Sequence, residues 1–132
     1  MLRLILDSIR ILDNDNTTEA IVTLKVDDDL FTGQKTLEDD SFIMVAEATL
    51  KALRKYLPPE VELTLDKAAK IKHEGIEKDL LVVTVNYRNS ANGEQALLTG
   101  TCLSNSEEAA QNIAKATLDA TNRITSHLME EG

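Results

Sequence analysis

The sequence has few aromatic residues, a single cysteine and no long apolar run near its start. Aromatic residues make up 3% of the 132 positions and tryptophan is absent, so the core must be built from aliphatic side chains. Cys102 has no second cysteine with which to form an internal disulfide. The apolar stretch before Asp7 is too short for a signal peptide or a membrane span, which predicts a cytoplasmic location.

Basic residues are scarce relative to acidic ones. The chain has 14 Lys and Arg residues against 23 Asp and Glu residues, a formal net charge of -9, and no segment is strongly basic. Binding to nucleic acid or to an anionic membrane depends largely on Lys and Arg contacts with phosphates. The composition therefore predicts neither a nucleic-acid partner nor a membrane partner.

What is present is a repeating order of strand and helix signals. Ile21–Val26 and Leu81–Val85 are β-branched segments typical of strands, and Asp27–Asp29 and Asn89–Gly93 are typical of hairpin turns. Two further segments have helical periodicity, with apolar or small residues spaced by three and four. In the first these are Phe42, Ala46, Thr49, Leu50, Leu53 and Leu57, and in the second Ala110, Ile113, Ala114, Thr117, Thr121, Ile124 and Leu128.

Short polar residues mark the start of each predicted helix. The first helix follows Asp39-Asp40-Ser41 and ends before Pro58-Pro59. The second follows Ser104–Glu107, which fits a capping box in which a Ser hydroxyl and a Glu carboxylate bond free amides. Helix N-termini also attract anions, so both starts are candidate ligand positions.

The two halves of the chain resemble each other, and the separation between matching residues grows toward the C-terminus. The matching segments are Leu4–Asp7 with Leu63–Asp66, Val22–Leu24 with Val83–Val85, Thr32-Gly33 with Thr99-Gly100, and Ala48–Ala52 with Ala116–Ala120. We predict a single domain of two β-β-β-α repeats, 1–57 and 60–132. The expected α+β fold has a mostly antiparallel six-stranded sheet with two helices packed on one face.

The doubled β-β-β-α order resembles the C-terminal regulatory and dimerisation domain of 2-isopropylmalate and citramalate synthases. Thr99-Gly100-Thr101, the polar stretch Ser104–Glu107 and Ala120-Thr121-Asn122 carry the local likeness. In that family the domain binds an amino acid or related carboxylate and signals to a catalytic domain. The resemblance implies a non-enzymatic regulatory or small-molecule-sensing module, with such a ligand bound at a dimer interface.

Four residues form the predicted ligand site. They lie where the helix N-termini approach the sheet: Ser41, Gly100, Thr101 and Ser104. Leu37–Asp40 stands where the synthase family has a Gly-Pro turn, so leucine itself is not implied as the ligand.

A weaker resemblance, in topology, is to the double-stranded RNA-binding domain, because residues 40–128 are predicted to run helix, three strands, helix. That family needs lysines at the start of its last helix to contact phosphates. Asn105–Glu108 stands there instead. On this interpretation the chain has a fold like that of the RNA-binding domain but does not bind RNA.

Other chemistry has weaker support in the sequence. Asp13–Thr17 begins like a calcium loop, but Thr18 and Leu24 replace the Gly and Glu that an EF-hand needs, so a polar turn is predicted and no metal site. Cys102 is either a thiol activated near a helix start or a small buried residue. No catalytic set and no cofactor motif is recognised.

Residues outside the helical stripes suggest a partner. Ile43, Met44, Tyr56 and Leu118 are expected to be partly exposed, which favours a homodimer. The alternative function is therefore a protein-interaction subunit that acts by docking to another chain.

Overall fold

The computed structural model describes residues 4–38, 40–72, 75, 78–105 and 108–131, except for the side chains of residues 123 and 126–131. Its elements are β1 (Leu4–Asp13), β2 (Thr18–Val26), β3 (Asp29–Thr36), α1 (Ser41–Tyr56), β4 (Val61–Lys72), β5 (Asp79–Asn89), β6 (Gln95–Ser104) and α2 (Ala109–Glu131). The α+β class and the duplicated β-β-β-α unit are confirmed.

The six strands form two antiparallel sheets of three, ordered β1-β2-β3 and β4-β5-β6, where one six-stranded sheet was expected. Helix α1 packs on β2 and β3 and also on β4, while α2 packs on β5 and β6 and touches β1. The helices also contact each other. Each helix thus contacts strands of both sheets, so helix packing joins the two repeats.

Both predicted hairpin turns are confirmed. The turn between β2 and β3 is closed by pairing of Val26 with Asp29, and Asp27 adopts a positive φ of 54°. The longer turn between β5 and β6 is closed by the Gly93 amide, which donates to the Asn89 carbonyl at 2.8 Å. Gly93 has a φ of 76°, which glycine adopts without a Cβ penalty. The calcium-like segment after Asp13 is likewise a hairpin turn, between β1 and β2.

The core is aliphatic, as the composition requires. The central strands supply Ala20, Val22, Leu24, Val26, Leu81, Val83 and Val85, and the predicted helical stripes are buried or half-buried wherever the structure describes their side chains. Met44, expected to be partly exposed, is buried. That expectation was wrong because α1 contacts both sheets and therefore buries a wider arc than a one-sided helix.

Each third strand passes beneath its own helix at a glycine. A Cβ at Gly33 would overlap the Ala48 carbonyl oxygen, and a Cβ at Gly100 would overlap the Ala116 carbonyl oxygen. The missing side chain therefore allows backbone to approach backbone. The same contact in both repeats is the closest structural match between the two halves.

The first strand of each repeat has a bulge at a matching aspartate. The register of β1 with β2 shifts between Leu6 and Ser8, and that of β4 with β5 shifts between Leu65 and Lys67. A bulge inserts one extra residue, here Asp7 or Asp66, and redirects the side chains beside it.

Candidate functional site

A cleft of about 440 Å³ lies between β1 and the start of α2. We call it the β1–α2 cleft, and it is lined by Leu6, Asp7, Ser8, Ile9, Ile11, Glu108, Ala110 and Gln111. One wall therefore comes from the first repeat and the other from the second. Its volume falls in the range of small-molecule sites, which often form where two structural units meet.

The bulge in β1 shapes the first wall. In a regular strand, successive side chains point to opposite faces. The extra residue Asp7 interrupts that alternation, and the four consecutive residues Leu6–Ile9 all line the cleft. The wall consequently combines an apolar surface with a carboxylate and a hydroxyl.

A small residue on α2 contributes to the open space. Ala110 lines the cleft, and the matching position in α1 is Phe42, a half-buried side chain packed against the core. Helix α1 also packs extensively on β4, whereas α2 touches β1 at few positions. The cleft is thus a feature of one side of a duplicated fold.

The two bulge aspartates have different surroundings. Asp66 accepts a hydrogen bond from the Thr84 hydroxyl at 2.8 Å. Thr23, which matches Thr84, instead places its hydroxyl 3.2 Å from that of Thr32. Asp7 makes no hydrogen bond or ion pair with any described residue and lines the cleft. Its carboxylate is available to a ligand, while that of Asp66 is used within the fold.

The charge of the cleft is negative. Asp7 and Glu108 are exposed carboxylates, one on each wall, and none of the lining residues is basic. Ser8 and Gln111 add neutral hydrogen-bonding groups, and Leu6, Ile9 and Ile11 add aliphatic surface. The arrangement suits a ligand with a positive group and an apolar body.

The predicted site residue at the first helix start, Ser41, is exposed and is the first residue of α1. The preceding residue, Asp40, caps this helix, and its carboxylate accepts hydrogen bonds from the amides of Phe42 at 2.7 Å and Ile43 at 3.4 Å. These amides are therefore already satisfied by a negative group. Asp39 lies outside the described residues.

The other predicted site residues share strand β6. Gly100 is buried beneath α2, and the Thr101 amide donates to the Asp119 carboxylate at 3.1 Å. The buried Ser104 hydroxyl donates to the Asn105 carbonyl at 2.6 Å and accepts from the Asn112 side chain at 2.9 Å. The three residues share β6, but Thr101 is exposed on the face of the sheet opposite to Gly100 and Ser104. Among the residues that the structure describes, no hydrogen bond joins any of them to Ser41. Their role in binding stays a prediction.

The start of α2 differs in part from the predicted capping box. The Asn105 side chain accepts a hydrogen bond from the Glu108 amide at 3.2 Å, so Asn105 takes a capping role. Ser106 and Glu107 lie outside the described residues.

Cys102 is half-buried, with its sulfur 3.5 Å from both the Leu103 carbonyl oxygen and the Asn112 side-chain oxygen.

The described residues contain no cluster of metal ligands and no membrane-spanning helix. Within the described ranges, no three His, Cys, Asp or Glu side chains are grouped closely enough to hold a metal ion. Nor is any helix in the described part of the chain long and apolar enough to span a membrane. No protein-family model matches the chain, and no curated protein matches it.

Sequence reasoning missed the β1–α2 cleft because its two walls are far apart in the chain. One signal was present in the aligned repeats. Phe42 and Ala110 occupy matching positions and differ greatly in volume, which indicates that one side of the duplicated fold has more space. A second signal is that Asp66 accepts a hydrogen bond within the fold whereas Asp7 lines the cleft. This difference is visible only in the three-dimensional structure.

Proposed function

We propose that this chain is a non-enzymatic regulatory module of the cytoplasm that senses a small molecule in the β1–α2 cleft. The supporting observation is that the cleft has one wall in each repeat. A ligand that contacts both walls favours the arrangement of repeats in which those contacts form. This shift in the populations of the two conformations can be detected by a partner protein that binds the surface of the chain.

The exposure of the cleft carboxylates supports binding over catalysis. Catalytic carboxyl groups are usually tuned by burial in a low-dielectric site. Asp7 and Glu108 are exposed. The half-buried thiol of Cys102 lies 3.5 Å from the Asn112 amide oxygen, which is not a base that activates a nucleophile.

A thermal-shift screen tests the proposal. We expect some members of a library of amino acids, aliphatic amines and small carboxylates at millimolar concentration to raise the melting temperature. Ala110→Phe should abolish the shift because the ring occupies the cleft. Ala69→Phe is the matched control, since Ala69 is exposed on β4 away from the cleft lining.

Ala110→Leu is a second variant that keeps the test valid if the Phe variant folds poorly. Circular dichroism establishes folding of each variant before the screen. The proposal would be contradicted if no compound in the library raised the melting temperature. It would also be contradicted if both Ala110 variants kept the full ligand-induced rise in melting temperature.

A second candidate function is docking to a second copy of this chain. Ile71, Leu80 and Leu103 pair across β4, β5 and β6 in one row on the face of the second sheet opposite the core. Ile71 is 52% exposed and Leu103 is 54% exposed. A twofold axis through such a row places aliphatic residues of one copy against those of the other.

Sedimentation of the wild type and of Leu103→Asp tests this second function. We expect a dimer that the buried charge of the variant dissociates. Thr101→Asp on the same strand and face is the control for the added charge. A monomeric wild type across micromolar concentrations would exclude docking between copies.

A further inference from the structure

We infer that the ligand of the β1–α2 cleft is a cationic aliphatic amine, with its ammonium group between Asp7 and Glu108 and its alkyl body on the aliphatic wall. This inference rests on the proposed function and narrows its ligand class. It differs from the carboxylate expected from the synthase resemblance. Three properties of the cleft lead to it: its charge, the capping of the Glu108 amide by Asn105 and its apolar surface.

The charge of the cleft favours a cation. A carboxylate stands on each wall, and the described residues that line the space include no lysine, arginine or histidine to balance them. The whole chain carries a formal net charge of -9, so the long-range field also attracts cations and repels anions. A ligand carboxylate would meet Asp7 and Glu108 with no positive partner among the described lining residues.

The start of α2 does not reverse this preference. A helix N-terminus attracts anions mainly through its free amides. The amide of Glu108, one of the three lining residues at this start, already donates to the Asn105 side chain. The negative side chain of Glu108 stands at the same place.

The apolar wall sets the body of the ligand. Leu6, Ile9 and Ile11 face Ala110 across the cleft, and Ile11 remains 43% exposed. A branched or linear alkyl chain would cover this surface and remove it from water. A strongly polar body such as a sugar would leave it without apolar contact.

Three probes with one carbon skeleton separate charge from shape. We would measure binding of 3-methylbutylamine, 3-methylbutanol and 3-methylbutanoate to the full chain by calorimetry at low salt. The amine should bind most tightly and the carboxylate most weakly. Raising the salt concentration should weaken binding of the amine and leave that of the alcohol nearly unchanged.

Neutral variants test the assigned carboxylates. Asp7→Asn and Glu108→Gln should each raise the Kd of the amine about fivefold, the size expected for one partly solvated ion pair. Asp66→Asn is the matched control, because Asp66 is the equivalent bulge residue and bonds Thr84 instead of lining the cleft. Its Kd should equal that of the wild type.

The outcomes distinguish this inference from the proposed function. Equal or tighter binding of the carboxylate or the alcohol would overturn the amine assignment, and so would an unchanged Kd in both neutral variants. If the library still contains compounds that Ala110→Phe excludes, the sensing function stands and only the ligand class is wrong. If no compound stabilises the chain and no probe binds, both fail.

Discussion

The first and second repeats agree where a strand packs beneath its helix and differ in the side chains at the start of each helix. Gly33 and Gly100 sit in the same close contact beneath their helices. Phe42 and Ala110, by contrast, occupy matching helix positions with very different volumes. Backbone packing therefore constrains both repeats alike, while the side chains at the helix starts differ and leave the β1–α2 cleft on one side of the fold.

The third strands show a second divergence. In the first repeat Lys35 forms ion pairs with Glu47 at 3.1 Å and with Glu38 at 3.6 Å. The matching position in the second repeat is Cys102, which contacts Asn112. The contact at this matched position is thus ionic in the first repeat and neutral in the second.

The largest expected effect concerns the feature that the repeats share. Gly33→Ala and Gly100→Ala should each lower the free energy of unfolding by about 3 kcal/mol or more, because the new methyl group would displace helix backbone. Urea denaturation of both variants measures this. Thr99→Ala, at an exposed neighbour of Gly100 on the same strand, is the control.

Similar losses at the two glycines would support equal packing of the repeats. A large loss at one glycine and a small loss at the other would break the comparison, since one helix would then be able to move away from its sheet.

Much of the fold was predictable because its signals are local. The β-branched segment Ile21–Val26 and the helical stripe of α2 identify a strand and a helix without tertiary information. The division into two sheets was not predictable, because pairing between strands of different repeats is a contact between distant segments that no local pattern contains. Periodicity gives the buried face of a helix but not the number of sheets it contacts.

The candidate site was less predictable than the fold. Asp40 and Ser41 are both good capping residues, and only the structure shows that Asp40 accepts the amide hydrogen bonds. The Gly100 signal was visible in sequence, since glycine within a strand indicates close backbone approach. The structure places the backbone of α2 against this glycine, and its part in ligand binding stays a prediction. The cleft depends on contact between distant segments, which no local pattern contains.

A moderate effect is expected from a contact found in the second repeat. The Asp119 carboxylate accepts from the Thr101 amide on edge strand β6, and Asp119→Ala should cost roughly 1 kcal/mol of stability. Lys51 is the matching residue in the first repeat, and Lys51→Ala should change stability little. Hydrogen exchange of the Thr101 amide, followed by NMR, gives a local measurement and should become faster in the Asp119 variant.

Asp119→Asn sharpens this comparison, because the amide oxygen can still accept the hydrogen bond. Compared with Asp119→Ala, this variant should restore part of the protection of the Thr101 amide from hydrogen exchange. Unchanged exchange at Thr101 in Asp119→Ala would show that the edge of β6 does not depend on this carboxylate.

The smallest effect concerns the ion pairs of the first repeat and depends on pH. The hydrogen bond and the charge of Glu47, with a further contribution from Glu38, raise the pKa of Lys35 above its usual 10.5. A raised pKa in the folded state means that the stabilisation is present below about pH 10 and is lost as the pH rises through the folded-state pKa. Lys35→Met should therefore lower the melting temperature slightly at neutral pH, and the difference from the wild type should shrink above pH 10.5.

The control for this pH dependence is Lys51→Met, which removes an exposed lysine from α1. Melting temperatures of the three proteins between pH 7 and pH 11 complete the test. A constant difference between wild type and Lys35→Met across that range would assign the loss to packing of the lysine stem, because only a charge contact disappears when the ammonium group loses its proton.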